Sequence, residues 1–359
     1  MKQNLLNVGK HMFLRAVVLL ITVIVGVYIV IFVANMGGEI DQMRRNQIRF
    51  EVTQQVYANP DYQGMKKEKV QDIIDDDVQR RFKLYGLDKP FLQRSFGYLT
   101  QAISLNLGRS EQITSNSGSR QVRRVLLERL PPTLLLFATA ELLLFFIGIY
   151  AALHLSRHYG TFLDRAVIAL APTSAAPGWF YALFLILIFA AILGVLPWGG
   201  MVKAPPPDST LGYALSLLRH LTLPAIAIFL GAIFRSIYGW RTYFLIHSKD
   251  DYVEMAKAKG LAPGAIQRRY ILRPSLPYIV TQFLLIMIVM WMGQVVLEEV
   301  TNWPGMGSLF IQAINLNDTP IIVGVSVIYA YLLAATVFFL DFIYAIVDPR
   351  VRVGEGGRE

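Results

Sequence analysis

Long apolar stretches dominate the chain, and its polar residues fall mostly between them rather than alternating with them. The hydrocarbon core of a bilayer is about 30 Å thick, and an α-helix rising about 1.5 Å per residue crosses it in about 20 residues. The pattern predicts membrane-spanning helices at about 12–34, 133–154, 166–196, 221–246, 279–300 and 320–346. Between the first two lies the longest polar interval, 35–132. There Val70, Ile74, Val78 and Phe82 recur every fourth residue, and Leu92, Phe96, Leu99 and Ile103 repeat the spacing. Each set draws one stripe along an amphipathic helix. Gly86 is placed to close the first helix, and Asp88 with Pro90 to open the second. These helices are expected on the outer surface, packed against span ends or a docking partner.

Composition supports the membrane reading. The 359 residues are 54% hydrophobic and 16% charged, whereas soluble domains carry about 25% charged residues. A net charge of +9 could suit nucleic acid, but the basic residues cluster beside the apolar spans, so no nucleic-acid partner is expected. The absence of cysteine excludes disulfides, thiolate chemistry and Cys-ligated metals. The first span, preceded by Lys2, Lys10 and Arg15, is expected to be retained rather than cleaved. Cytoplasmic loops are enriched in Lys and Arg. The short loops on one side hold Arg157, Arg165, a cluster from Arg235 to Arg273, and Arg350, Arg352 and Arg358; those on the other hold Lys203 and Arg219. Both termini are therefore expected in the cytoplasm of a multi-pass inner (cytoplasmic) membrane protein.

Candidate chemistry is sparse. No G-x-x-x-x-G-K-[ST] and no H-E-x-x-H occurs. His154 and His158 stand at i, i+4 near the end of a span and read as an interfacial polar pair, while Asp75, Asp76 and Asp77 read as a solvated face. Glu141 and Asp341 fall inside spans, where burying a charge is costly; pairing or cavity lining is favoured over a proton relay. Span three carries "APTSAAPGWF" at 171–180. Pro172 and Pro177–Gly178 must interrupt its helix. A hinge beside a pathway, with Trp179 on its wall, and an ordinary kinked helix both fit.

The stretch 251–280, "DYVEMAKAKGLAPGAIQRRYILRPSLPYIV", places charged residues and glycines between two apolar spans. Asp250 or Asp251 is placed to cap a short helix through Tyr252, Glu254, Ala256 and Ala258. Gly260 permits a left-handed turn. A second helix begins near Pro263, runs through Gln267, Arg268 and Arg269, and re-enters the membrane at Pro274 and Pro277. On the residues alone, a helix offered to a soluble partner and a loop that merely holds cytoplasmic charge are equally good readings.

The segment "EMAKAKGLAPGAIQRRYILRPSLP" resembles the EAA loop of binding-protein-dependent ABC importer permeases, with Glu254, Ala256, Gly260, Leu272 and Pro274 on the pattern and Met255 replacing the usual second alanine. "YGLDKPFLQRSFGYLTQAISLNLGRS" (85–110), "RLPPTL" (129–134), "FLDRAVIALA" (162–171), "EEVTNWPGMGSL" (298–309) and "FFLDFIYAIVDPRVR" (338–352) resemble, in order, segments of the B-type permease subunits of dipeptide and oligopeptide importers. The chain departs from that family in a longer 35–84 insertion, an altered "SAAPGWF", and Leu135 where the family often has Glu.

The resemblance implies an all-α integral membrane protein with six transmembrane helices, a type I ABC importer permease core and a helical extracytoplasmic segment. It divides the chain into 1–34, 35–132, a core at 133–346 with the coupling loop at 247–278, and a tail at 347–359. The implied partners are a second homologous permease subunit, two cytoplasmic ABC ATPases, an extracytoplasmic solute-binding protein and membrane lipid. This chain would hold no cofactor; ATP and Mg would sit on the ATPases. Asp251, Tyr252, Glu254, Ala256, Ala258, Gly260, Leu261, Leu272 and Pro274 would form the ATPase-coupling surface. Glu141, Pro177, Gly178, Trp179 and Asp341 are candidates for the translocation pathway. Peptides are the implied substrate. The same architecture importing oligosaccharides or nickel chelates, a proton-coupled secondary transporter and a membrane-embedded enzyme are the alternatives.

Overall fold

The computed structural model describes residues 2–35, 39–62, 65–292 and 294–347. The basic tail residues Arg350, Arg352 and Arg358 lie outside the described residues, as do the side chains of Lys2 and Lys10. Among the described residues the regular structure is helical, with one isolated bridge between Arg109 and Gln121. Five helical stretches are long and apolar enough to span a membrane: Met12–Val33, Val122–Arg157, Thr210–His247, Pro263–Met287 and Thr319–Ile343. A sixth is the pair Phe162–Ala175 and Gly178–Ile192, bent by 99°. The bend has a local cause. A residue before proline is pushed out of the helical region. Ala176 is accordingly extended at ψ 132°, and Pro177 follows at ψ 160°.

The chain forms two compact units. One gathers the described parts of 17–125 and 316–331, the other those of 1–16, 126–315 and 332–359. The first unit contains α2 (Glu39–Ala58), α3 (Lys67–Leu84) and α4 (Phe91–Ile103), with most of α1 (Lys2–Asn35). Ile48, Val52 and Val56 of α2 bury against Val70, Ile74, Val78 and Phe82 of α3, so that stripe packs on a neighbouring helix of the same segment rather than on span ends or a docking partner. Gly86 closes α3 at φ +68°; the Leu87 N–H donates to the Phe82 carbonyl at 2.8 Å and Leu87 itself is buried. In α4 the expected stripe is not the buried one. Ser95 and Ala102 face inward, while Leu92 and Phe96 are exposed.

In the second unit, α5 (Val122–Arg157), α6 (Phe162–Leu170), α7 (Gly178–Leu185) and α8 (Thr210–His247) precede α9 (Asp251–Ala258) and α10 (Pro263–Ile266). They are followed by α11 (Arg273–Met292), α12 (Val295–Val300), α13 (Met306–Asn315) and, from residue 332 on, α14 (Thr319–Val347), whose earlier part belongs to the first unit. One core joins Leu136, Phe137 and Ala140 of α5 to Ala182 of α7, Ala225 and Ile228 of α8, and Trp303. Gly178 approaches α8 so closely that a Cβ on Gly231 would lie 3.2 Å from the Gly178 Cα.

The fifth span is not continuous over 279–300. α11 ends at Met292, Gln294 is extended at φ −123°, and α12 is a separate helix. Hydrogen bonding accounts for the break. The Glu298 carboxylate is fully buried and accepts from the Thr133 hydroxyl at 2.8 Å, the Gly307 N–H at 2.7 Å and the Ser308 N–H at 3.2 Å. The Trp303 indole N–H donates to the Pro132 carbonyl at 2.9 Å. These bonds fold the 298–309 segment onto the proline-bearing part of α5 and set α12, which the apolar pattern places at the end of the fifth span, apart from α11.

Candidate functional site

The hairpin between α8 and α11 sits on a second core of the same unit. Leu144, Phe145, Ala152 and Leu155 of α5 meet Ile233, Ile237 and Phe244 of α8 there, together with Val253, Ala256, Ile266, Ile271 and Ile279. Val253 and Ala256, three apart and so on one face of α9, are fully buried. Ala256 therefore turns into the subunit rather than outward. Leu261 and Leu272, half-buried, pack on the same core. The outward residues of α9 are Asp251, Tyr252, Glu254, Met255, Lys257 and Ala258. Pro274 is exposed where the π-helical turn over Gln267–Leu272 passes into α11.

Asp250 is the residue before α9, yet its carboxylate does not take the expected backbone cap. It accepts instead from His247 Nδ1 and from the Tyr252 hydroxyl, both at 3.0 Å. The bond from His247, then that from Tyr252, holds the Asp250 carboxyl below its usual range. Burial, then the bond to Asp250, pushes the Tyr252 phenol up. Glu254 and Lys257 pair at 2.8 Å, and Lys257 also reaches the Ser248 carbonyl at 3.3 Å. The outward face is thus a fixed arrangement of charge, with Met255 as its apolar centre at 59% exposure.

Gly260 makes the turn as the sequence predicts. At φ +72° its N–H donates to the Lys257 carbonyl at 2.9 Å, and the Leu261 N–H donates to the Ala256 carbonyl at 3.3 Å. This paired closure is the Schellman motif. A Cβ at Gly260 would meet nothing within 4 Å, so the backbone conformation alone demands glycine. Pro263 then opens α10, and a π-helical turn over Gln267–Leu272 leads into α11.

Two tethers join this end of the unit, and sequence reasoning gave neither. Gln267 Nε2 donates to the Leu153 carbonyl at 2.7 Å, while Arg157 donates to Gln267 Oε1 at 3.2 Å. Asp164 of α6 and Arg241 of α8 form a buried two-bond ion pair, one bond of 2.7 Å from Nη2 and a second from Nε. The Gly160 N–H adds a third bond to Asp164 at 2.9 Å. The signal available was two opposite charges, each inside an otherwise apolar run. Arg241 was grouped with the cytoplasmic cluster, which hid it.

The pathway candidates occupy different settings. Asp341 of α14 accepts from Arg15 Nε of α1 at 2.5 Å, the pairing favoured for an intramembrane acid. Glu141 is half-buried on α5, with Arg235 the charge acting on it. Pro177 is exposed at the bend, Gly178 is buried against α8, and Trp179 packs on the Trp303 core. His154 and His158 lie with ring centroids 4.4 Å apart. Among the described residues no three of His, Asp and Glu group as metal ligands.

Residues 145–353, which include the whole hairpin, match the family described as binding-protein-dependent transport system inner membrane component. A protein of Brucella suis biovar 1, provisionally named a peptide permease, is 31% identical over 269 residues, covering 75% of this chain and 82% of the relative. The di/tripeptide transport system permease protein DppB of Pseudomonas aeruginosa is 31% identical over 284 residues, covering 74% and 82%. The oligopeptide transport system permease protein AppB of Bacillus subtilis is 28% identical over 283 residues, covering 78% and 86%.

Proposed function

The chain belongs to the family of binding-protein-dependent transport system inner membrane components, and on that premise we propose that it is the permease subunit of an ATP-driven importer of di- and oligopeptides. The relatives' names support the substrate class. The observation that carries the mechanism is the hairpin. One face of α9 is anchored by Val253 and Ala256 in the core shared by α5 and α8, and the other presents Glu254 and Met255 outward.

A partner that seats α9 in a cleft would therefore pull on packed side chains rather than on a loose loop. Gln267 passes displacement to α5, and α10 with its π turn passes it to α11. Cytoplasmic ATPases are the partners this surface suits, and their closure would rock the spans between inward- and outward-facing arrangements. A second permease subunit would complete the pore, and a solute-binding protein would deliver peptide from the far side. Both termini and the hairpin would then lie in the cytoplasm. ATP and Mg would bind the ATPases, and this chain would do no chemistry of its own.

The test is uptake of labelled di- and tripeptides into vesicles holding the permease pair and its ATPases. Uptake should require ATP and the binding protein. Uptake that persists without ATP and follows a proton gradient would contradict the reading. A binding protein that holds an oligosaccharide or a nickel chelate and ignores peptides would overturn the substrate alone.

A further inference from the structure

Helix α4 contradicts the character of the interval around it. In α3 the exposed positions are Lys67, Glu68, Lys69, Gln71, Asp72, Asp76, Gln79, Arg80, Lys83 and Leu84, nearly all polar or charged. In α4 they are Leu92, Gln93, Phe96, Gly97, Thr100 and Gln101. None is ionisable, and the Thr100 hydroxyl already donates to the Phe96 carbonyl at 2.7 Å. Leu92 and Phe96, four apart on one face, are 60% and 63% exposed. Such an edge facing water would be unfavourable, since burying a large apolar side chain is worth about 1.5–3 kcal/mol.

The surroundings of α4 say what covers it. Its Phe91 ring lies 5.7 Å from Phe32, its Phe96 ring stacks on Tyr28 at 5.7 Å, and Ser95 Oγ lies 3.3 Å from the Tyr28 hydroxyl. α4 thus runs antiparallel to the end of the first candidate span, which closes at Val33. The other end of α4 is fixed to a different candidate span, where the Ile103 carbonyl accepts from the Tyr331 hydroxyl of α14 at 2.7 Å. The first span meanwhile exposes Ile21, Val25, Ile29 and Val33 in an i, i+4 row, an apolar side suited to lipid. We propose that α4 is a lipid-embedded helix, sunk into one leaflet beside the first span with Leu92 and Phe96 among the acyl chains.

The chain has no cysteine, so single cysteines can be labelled without background. Nitroxides at Leu92→Cys and Phe96→Cys, in the full-length protein in phosphatidylethanolamine–phosphatidylglycerol vesicles, would be compared with Ile29→Cys in the span and Asp76→Cys on α3. The readout is collision with dissolved oxygen, which concentrates in lipid, against collision with a water-soluble nickel chelate. Labels at 92 and 96 should behave as at 29, with oxygen collisions several-fold above chelate collisions. Chelate collisions matching those at 76 would overturn the proposal. So would shielding from both probes, which would mean that protein covers the edge. Leu92→Cys removes no aromatic ring, so its label reports even where the Phe96 substitution disturbs the stack on Tyr28.

Discussion

Gln267 and Leu153 stand 114 residues apart, and a 2.7 Å hydrogen bond from the Gln267 side-chain amide to the Leu153 carbonyl joins the π turn of the hairpin to the last turns of α5. Helices leave their final carbonyls without intrahelical partners or with weakened ones, and here the π turn supplies a donor. Gln267→Leu keeps the length and removes donor and acceptor together. A neutral hydrogen bond is worth about 0.5–1.5 kcal/mol, so the variant should insert and fold. Coupling should loosen: ATP hydrolysis continues while peptide uptake per ATP falls by several-fold. An unchanged uptake-to-hydrolysis ratio would show that this bond transmits nothing.

The Asp164–Arg241 pair tests a different property. Breaking a buried pair by removing one partner leaves an uncompensated charge and costs about 3–5 kcal/mol. Asp164→Asn should lower the thermal stability of the purified protein sharply, as Arg241→Leu should. The double variant Asp164→Asn, Arg241→Leu should recover a large part of the loss, because no buried charge remains. Additive losses on a melting curve would contradict this.

Gly305 lies against the carboxylate of Glu298 and the hydroxyl of Thr133, where an added methyl would collide with both. Gly305→Ala should therefore displace the Glu298 knot and reduce yield and stability. Gly86→Ala carries its methyl into open space and meets only the cost of positive φ, about 1 kcal/mol. Equal melting temperatures for the two variants would mean that the knot does not hold α12 and α13 in place.

Asp341 and Arg15 offer a check on the energy source. If Asp341 is a structural partner of Arg15, Asp341→Asn keeps a hydrogen-bond acceptor and should leave ATP-driven uptake within about threefold, roughly the effect of 0.6 kcal/mol. Abolition of uptake with intact folding would point to a proton step at this carboxyl.

Much of the fold is legible in the residues, because membrane spans are written in unbroken apolar length and the α3 stripe in a four-residue repeat. The misreadings share a cause: apolar length does not report where hydrogen bonds go. Glu298 and Trp303 lie 165 and 171 residues from Thr133 and Pro132, and only their meeting explains why α11 stops at Met292. The α4 stripe is one face, yet its Leu92 and Phe96 are exposed, since periodicity finds a face without saying what lies against it. In the hairpin, Gly260 followed from the need for a left-handed turn. Asp250 did not follow, because a carboxylate before a helix reads as a cap and His247 with Tyr252 outcompete the backbone for it.

The central claim is that the α9 hairpin, turned at Gly260, couples this subunit to its ATPases. Left-handed backbone costs a Cβ-bearing residue about 1–2 kcal/mol, and Asn tolerates it best. No neighbour crowds the position, so substitutions there should rank by conformation alone. The direct measurement is co-purification of the ATPases together with peptide uptake for Gly260→Asn, Gly260→Val and Glu254→Lys, with membrane insertion checked in each. The asparagine variant should stay near the parent, while Gly260→Val and Glu254→Lys should insert normally yet lose docking and uptake by tenfold or so, a factor worth about 1.4 kcal/mol. Full docking and full uptake in both Gly260→Val and Glu254→Lys would contradict the claim.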